Sequence, residues 1–186
     1  MVVNVYIKAV VREYNNKVMD NTDDLKRLTT SLMDRDYSEL ERHLDLMIST
    51  LCGFTPNKPN IHERIRKKFD IQLLLNMLSH NAYDSNDMFY LVCDIEALCK
   101  GYASPSRDDL ISSNFMDLKA RVEFNGNEQQ QVASFFVYFV DVIECILCMI
   151  RTDIDEYLAS KRFANDYEIL TSESGQEWLH NKSNTS

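Results

Sequence analysis

The stretch Gln129 to Ile150, QQQVASFFVYFVDVIECILCMI, leaves few folds open to the chain that carries it. Between Val132 and Ile150 only Ser134, Asp141 and Glu144 are polar, so a helix here is apolar on nearly all sides and must be surrounded by other elements. A membrane span needs about 20 apolar residues, and a central acid costs about 2.5 to 3.5 kcal/mol on insertion scales. Asp141 and Glu144 therefore weigh against the bilayer, and the stretch reads as the core helix of a soluble bundle.

Every other segment is then a covering for this one. With 186 residues and 45% hydrophobic content the chain is long enough for one domain around one sizeable core. Four glycines and three prolines are too few for turn-rich sandwiches or barrels. The net charge of -9 disfavours nucleic acid or an anionic membrane as partner, since both reward clustered Lys and Arg. The one basic run, Arg64 to Lys68, reads as a solvated helix face. The start, MVVNVYIK, lacks the order of a signal peptide and the polar end HNKSNTS carries no anchor, so a cytosolic protein is expected. An odd number of cysteines, five, fits reduced thiols, and the triplets at Asn181 and Asn184 are read as chance.

Apolar spacing predicts the remaining helices. Val3, Ile7, Val10, Tyr14 and Val18 form the stripe of an opening helix. Thr22 or Asp23 is placed to cap a short helix with Leu25, Leu28 and Leu32. From about Asp36 a further helix carries Leu40, Leu44, Met47, Ile48 and Leu51, with Gly53 to end it. Phe54 to Asn60 is a loop, and Asn60 caps one helix bearing Ile61, Ile65, Phe69, Leu73 and Met77, broken at Asn81 to Asn86. Met88, Leu91, Ile95 and Leu98 mark the next, ending in a left-handed cap at Gly101. Ser104-Pro105 starts another, with Ile111, Phe115, Leu118 and Val122 on one face. After the Asn125-Gly126-Asn127 turn comes the central helix, about 35 Å long, with an amphipathic continuation to about Phe163. Ser174 and Glu177 form a capping box for a last helix with Trp178 and Leu179. The expected architecture is all-α, eight or nine helices around one buried helix, in a single domain 1–186 with a polar tail from about 181.

Catalytic constellations are missing from the sequence. Cys145 and Cys148 form a Cys-x-x-Cys inside an apolar helix with no second ligand pair, so both are expected to be buried structural thiols. His43, His62, His80 and His180 stand apart on polar faces and are expected at the surface. Asp141 and Glu144, three apart, share a face that either emerges at the rim or pairs with a cation such as Arg151. No enzyme, metal or cofactor reading follows.

The segment Phe124-Asn125-Gly126-Asn127-Glu128-Gln129-Gln130-Gln131-Val132-Ala133-Ser134-Phe135-Phe136 resembles the first homology motif of the B-cell lymphoma-2 (Bcl-2) family, Phe-x-Asp-Gly-x-Asn-Trp-Gly-Arg-Ile-Val-Ala-Phe-Phe. Aligned on the Phe-Phe pair, Gly126 falls on the turn glycine, and Val132, Ala133 and Ser134 fall on Ile, Val and Ala. Glu128, Gln129, Gln130 and Gln131 stand where the family has Asn, Trp, Gly and Arg. Val3 to Met19 is similar to the fourth homology motif, and Trp178 stands where the second has a tryptophan. The third, Leu-x-x-x-small-Asp (BH3), has no unique place; Phe89 to Asp94, Ile65 to Asp70 and Leu40 to Asp45 each match loosely. Divergence of this degree resembles a virus-encoded member acting in a host cell.

The resemblance implies an anti-apoptotic binding module that sequesters the amphipathic BH3 helix of pro-apoptotic proteins in a hydrophobic groove. Val132, Phe135, Phe136 and Phe139 are the expected floor, Leu91, Ile95, Phe115 and Leu118 the walls, with Gly126 and Gln131 at the motif. Because Gln131 replaces the arginine that pairs with the BH3 aspartate, narrow ligand selectivity is expected. The alternative is a homodimeric structural or signalling-inhibitor bundle with an occluded groove.

Overall fold

The computed structural model describes residues 23–122 and 129–171, with side chains as far as 162 in the second stretch. The opening helix Val3 to Met19, the turn containing Gly126, the capping box at Ser174 and Glu177, Trp178, His180 and the tail from about 181 lie outside the described residues.

The described residues are all-helical. Helix α1 covers 23–33 and is followed by α2 (Ser38–Gly53), α3 (Pro59–Lys68), α4 (Ile71–Ser79), α5 (Ser85–Tyr102), a 3-10 turn at Pro105–Arg107, α6 (Asp108–Ala120) and α7 (Gln129–Thr171). The long helix packs against α2, α5 and α6, while α5 lies along α6 and α2 also meets α3 and α4. One apolar cluster joins all of them. Leu28 and Leu32 of α1, Leu40, Leu44, Met47, Ile48 and Leu51 of α2, and Ile111, Phe115 and Leu118 of α6 are buried in it as their spacing predicts, and Val122 lies just beyond.

Helix α7 runs uninterrupted for 43 residues, which at 1.5 Å per residue is about 64 Å; the expected core helix and its continuation to about Phe163 are one rod that runs on to Thr171. No proline or glycine falls between Gln129 and Thr171, so nothing in the backbone separates the apolar first half from its amphipathic continuation. Long and apolar enough to cross a membrane over 129–162, it has 56% of its most apolar window buried inside the bundle. The expectation that it is covered on all sides is corrected: Ser134, Asp141 and Cys145 are exposed and Tyr138 and Cys148 half-buried, a stripe at helical spacing left open by the described helices.

Three helix boundaries differ from the sequence reading. The single helix expected from Asn60 through Met77 is two, because the Asp70 side chain accepts a hydrogen bond from the Leu73 N–H at 2.9 Å and starts α4 afresh. That break rotates the register: Phe69 stays buried while Leu73, in the same expected stripe, is 56% exposed. Pro59, not Asn60, opens α3. On α5 the innermost stripe is Met88, Val92, Ile95 and Cys99, with Leu91 and Leu98 half-buried beside it, and Asp84 with Asp87 forms its capping box.

The left-handed positions also fall elsewhere. Gly53 and Gly101 are the last and the penultimate residues of their helices, neither with a positive φ. Arg35 (φ 58°) and Asn81 (φ 50°) take that conformation instead. Each lies one residue before an amide that reaches back five residues, Asp36 N–H to the Ser31 carbonyl at 2.9 Å and Ala82 N–H to the Met77 carbonyl at 2.8 Å, which closes α1 and α4.

Candidate binding cleft

Leu91, Ile95, Phe115, Leu118, Val132, Phe135, Phe136 and Phe139, expected to form an open groove, are brought together as packed core. Seven of them are no more than 2% exposed, and Leu91 is half-buried against the same cluster. The rings of Phe135, Phe136 and Phe139 pack on one another with centroids 5.1 to 6.0 Å apart, Phe136 edge-on to both of the others. Phe135 and Phe136 do point apart, but both directions are filled, since α7 has neighbours on both flanks. Gly126 lies outside the described residues. Gln131 is half-buried, and its Oε1 is buried without a hydrogen-bond partner. Arg121 lies over the Tyr138 ring at 4.1 Å from its centroid.

An open apolar cleft lies elsewhere, between α2 and α7, with a volume of about 430 Å³. Leu44, Met47, Phe139, Val140, Ile143 and Leu147 are its apolar residues, and Leu46, 54% exposed, stands at its edge. Charged groups complete its lining: Asp24 from α1, Arg42 from α2, and Asp141, Glu144 and Arg151 from α7. Helical spacing accounts for the arrangement. Residues 140, 144, 147 and 151 repeat every three or four positions, so one strip of α7 faces the matching strip 43, 46, 47 and 50 of α2.

The polar anchor of this cleft is His43, expected at the surface but only 5% exposed. Arg42 can only donate, and its Nη2 lies 3.1 Å from His43 Nε2, so Nε2 accepts and the ring is the neutral form with its proton on Nδ1. That Nδ1–H donates to Glu144 Oε1 at 2.9 Å, tying α2 to α7. Glu144 thus takes His43 rather than Arg151 as partner. Its neighbour Asp141 has a carboxyl held above the ordinary range, chiefly by partial withdrawal from water and then by the negative charge of Glu144.

The two cysteines of the Cys-x-x-Cys are not a buried pair: Cys145 is exposed and Cys148 half-buried, both lining the cleft. Cys52 and Cys99 are the buried ones, and burial pushes the Cys99 thiol up to about 12. Among the described residues no group of three or more His, Cys, Asp or Glu is arranged to hold a metal ion. Leu46, an outward apolar residue on α2, marks the edge of the cleft in the sequence but does not give its opposite wall. Comparison with protein-family models, curated proteins and solved structures finds no match for this chain.

Proposed function

We propose that this chain is a Bcl-2-like, virus-encoded binding module that holds an amphipathic BH3-type helix of a pro-apoptotic protein, acting in the host cytosol without a cofactor. The α2–α7 cleft is the observation that supports this reading. An amphipathic helix needs apolar surface for anchors at i, i+3, i+4 and i+7; at this cleft Leu46, 54% exposed, offers it at the edge, while Leu44, Met47, Val140, Ile143 and Leu147 beneath are 2 to 5% exposed and would have to part to admit an anchor. Arg151 at the rim offers a cation to the acid of such a helix, a role that Gln131 lacks.

The packing of Phe135, Phe136 and Phe139 favours a second reading, a signalling-inhibitor or scaffolding bundle whose motif groove is closed. Calorimetric titration with a panel of BH3 peptides separates the two. Micromolar or tighter binding by a few peptides, weakened about tenfold or more by Leu46→Glu with the helical spectrum retained, is the expected outcome. Failure of every peptide at high micromolar concentration overturns the BH3 reading in favour of the closed bundle.

A further inference from the structure

Beyond Ile150 the long helix leaves its own core. Ile150 is 1% exposed and Ile154 is half-buried, but every residue from 155 to 162 is exposed, including Tyr157 at 57% and Leu158 at 46%. Asp153, held by Arg107 at 3.3 Å, is the last side chain on this helix tied by an ion pair to another element among the described residues. The arm then carries acids first, Asp155 and Glu156, and bases later, Lys161 and Arg162. Among themselves these four stand five to seven positions apart, whereas ion pairs within a helix need three or four; the residues at i,i+4 spacing are Arg151 for Asp155 and Asp166 for Arg162.

Asp155 and Arg162, seven residues apart, lie two turns apart on one flank, about 10.5 Å along the axis, beside the apolar positions Ile154 and Leu158. Lys161 lies over the Tyr157 ring, 5.2 Å from its centroid, on the other side of those positions. A second arm laid antiparallel about a two-fold axis near Leu158 keeps like flanks together. It sets Asp155 against the second copy's Arg162 at both ends of the contact, with the two Leu158 side chains between them. We infer that the exposed half of α7 is a self-pairing surface: the arms of two copies join antiparallel, sealed by Ile154 and Leu158 and put in register by two Asp155–Arg162 ion pairs. An acid-then-base order is complementary to its own reverse, which singles out a second copy over any other partner. The inference is independent of the α2–α7 cleft, and the absence of BH3 binding leaves it standing.

Sedimentation velocity on the full chain over a concentration series tests it, with circular dichroism to check folding. The wild type is expected to dimerise, and Leu158→Asp to be monomeric. Asp155→Arg and Arg162→Asp, which each place two like-charge pairs in the contact, are expected to weaken the dimer about tenfold or more, and the double variant to restore it. All three side-chain sites are exposed, so each variant keeps its helical spectrum. A wild type that stays monomeric at every concentration overturns the proposal. So does a dimer indifferent to Leu158→Asp, or a double variant no better than the single ones.

Discussion

His43 and Glu144, 101 residues apart in sequence, meet at 2.9 Å across the α2–α7 interface, with the histidine side chain 2% exposed and the carboxylate 34%. The neutral ring donates from Nδ1, so a partner needs only an acceptor. Glu144→Gln, whose amide oxygen accepts equally, should change stability by less than about 1 kcal/mol. His43→Ala removes the buried ring and its bond, and should cost about 2 to 3 kcal/mol. Urea melts of the two variants check the difference; equal losses would show that the carboxylate charge, not the hydrogen bond, carries the contact.

Phe135→Ala and Phe136→Ala should each destabilise by about 3 to 5 kcal/mol, because both rings are within 2% of complete burial. Thermal melts read this directly. If one variant folds as well as the wild type, that ring faces an open groove after all.

Glu96 clamps α5 to α6. Its carboxylate accepts from Lys119 of α6 at 2.5 Å and pairs with Lys100 at 2.7 Å, with only 12% of the side chain exposed. Burial pushes the Glu96 carboxyl up, but the hydrogen bonds from Lys100 and Lys119 outweigh it, and the net direction is down. A carboxyl depressed in the folded state contributes stability above its unfolded value of 4.5, and loses it as pH falls through the lower folded value. Glu96→Gln should therefore cost about 1 to 3 kcal/mol at neutral pH and progressively less as the pH drops below that of ordinary carboxylates. Denaturant unfolding at a series of pH values measures it.

Gly101→Ala should stabilise by about 0.5 to 1 kcal/mol. The position is helical, and a methyl group there meets nothing within 4 Å, so the gain is the lower entropy of the unfolded chain. A left-handed cap would have given the opposite sign. A rise in the urea midpoint at unchanged slope is the expected result.

Periodicity made the helices and most of the inward faces legible, because burial of Leu40, Leu44, Ile111 or Phe115 follows from spacing alone. The break at Asp70 was not, since a stripe of apolar residues runs through it and only the side-chain cap to Leu73 decides the boundary. His43 was misplaced because its single polar letter among Leu40, Leu44 and Met47 carries no sign of Glu144, which reaches it from another helix. The same limit hid the cleft: its two walls are a hundred residues apart, and an apolar strip on α7 looks identical in sequence whether a neighbour fills it or leaves it open.

The continuity of α7 also bears on how the chain is made. Leu28, Leu40, Leu44, Ile95 and Phe115 belong to helices synthesised before the residues that complete their shared cluster, Val132 to Ile150. At ordinary elongation rates the early helices wait on the order of ten seconds with apolar faces uncovered. Native structure thus waits for one rod-like segment to organise what preceded it, and a nascent chain halted near residue 122 has secondary structure without the helix its core closes on.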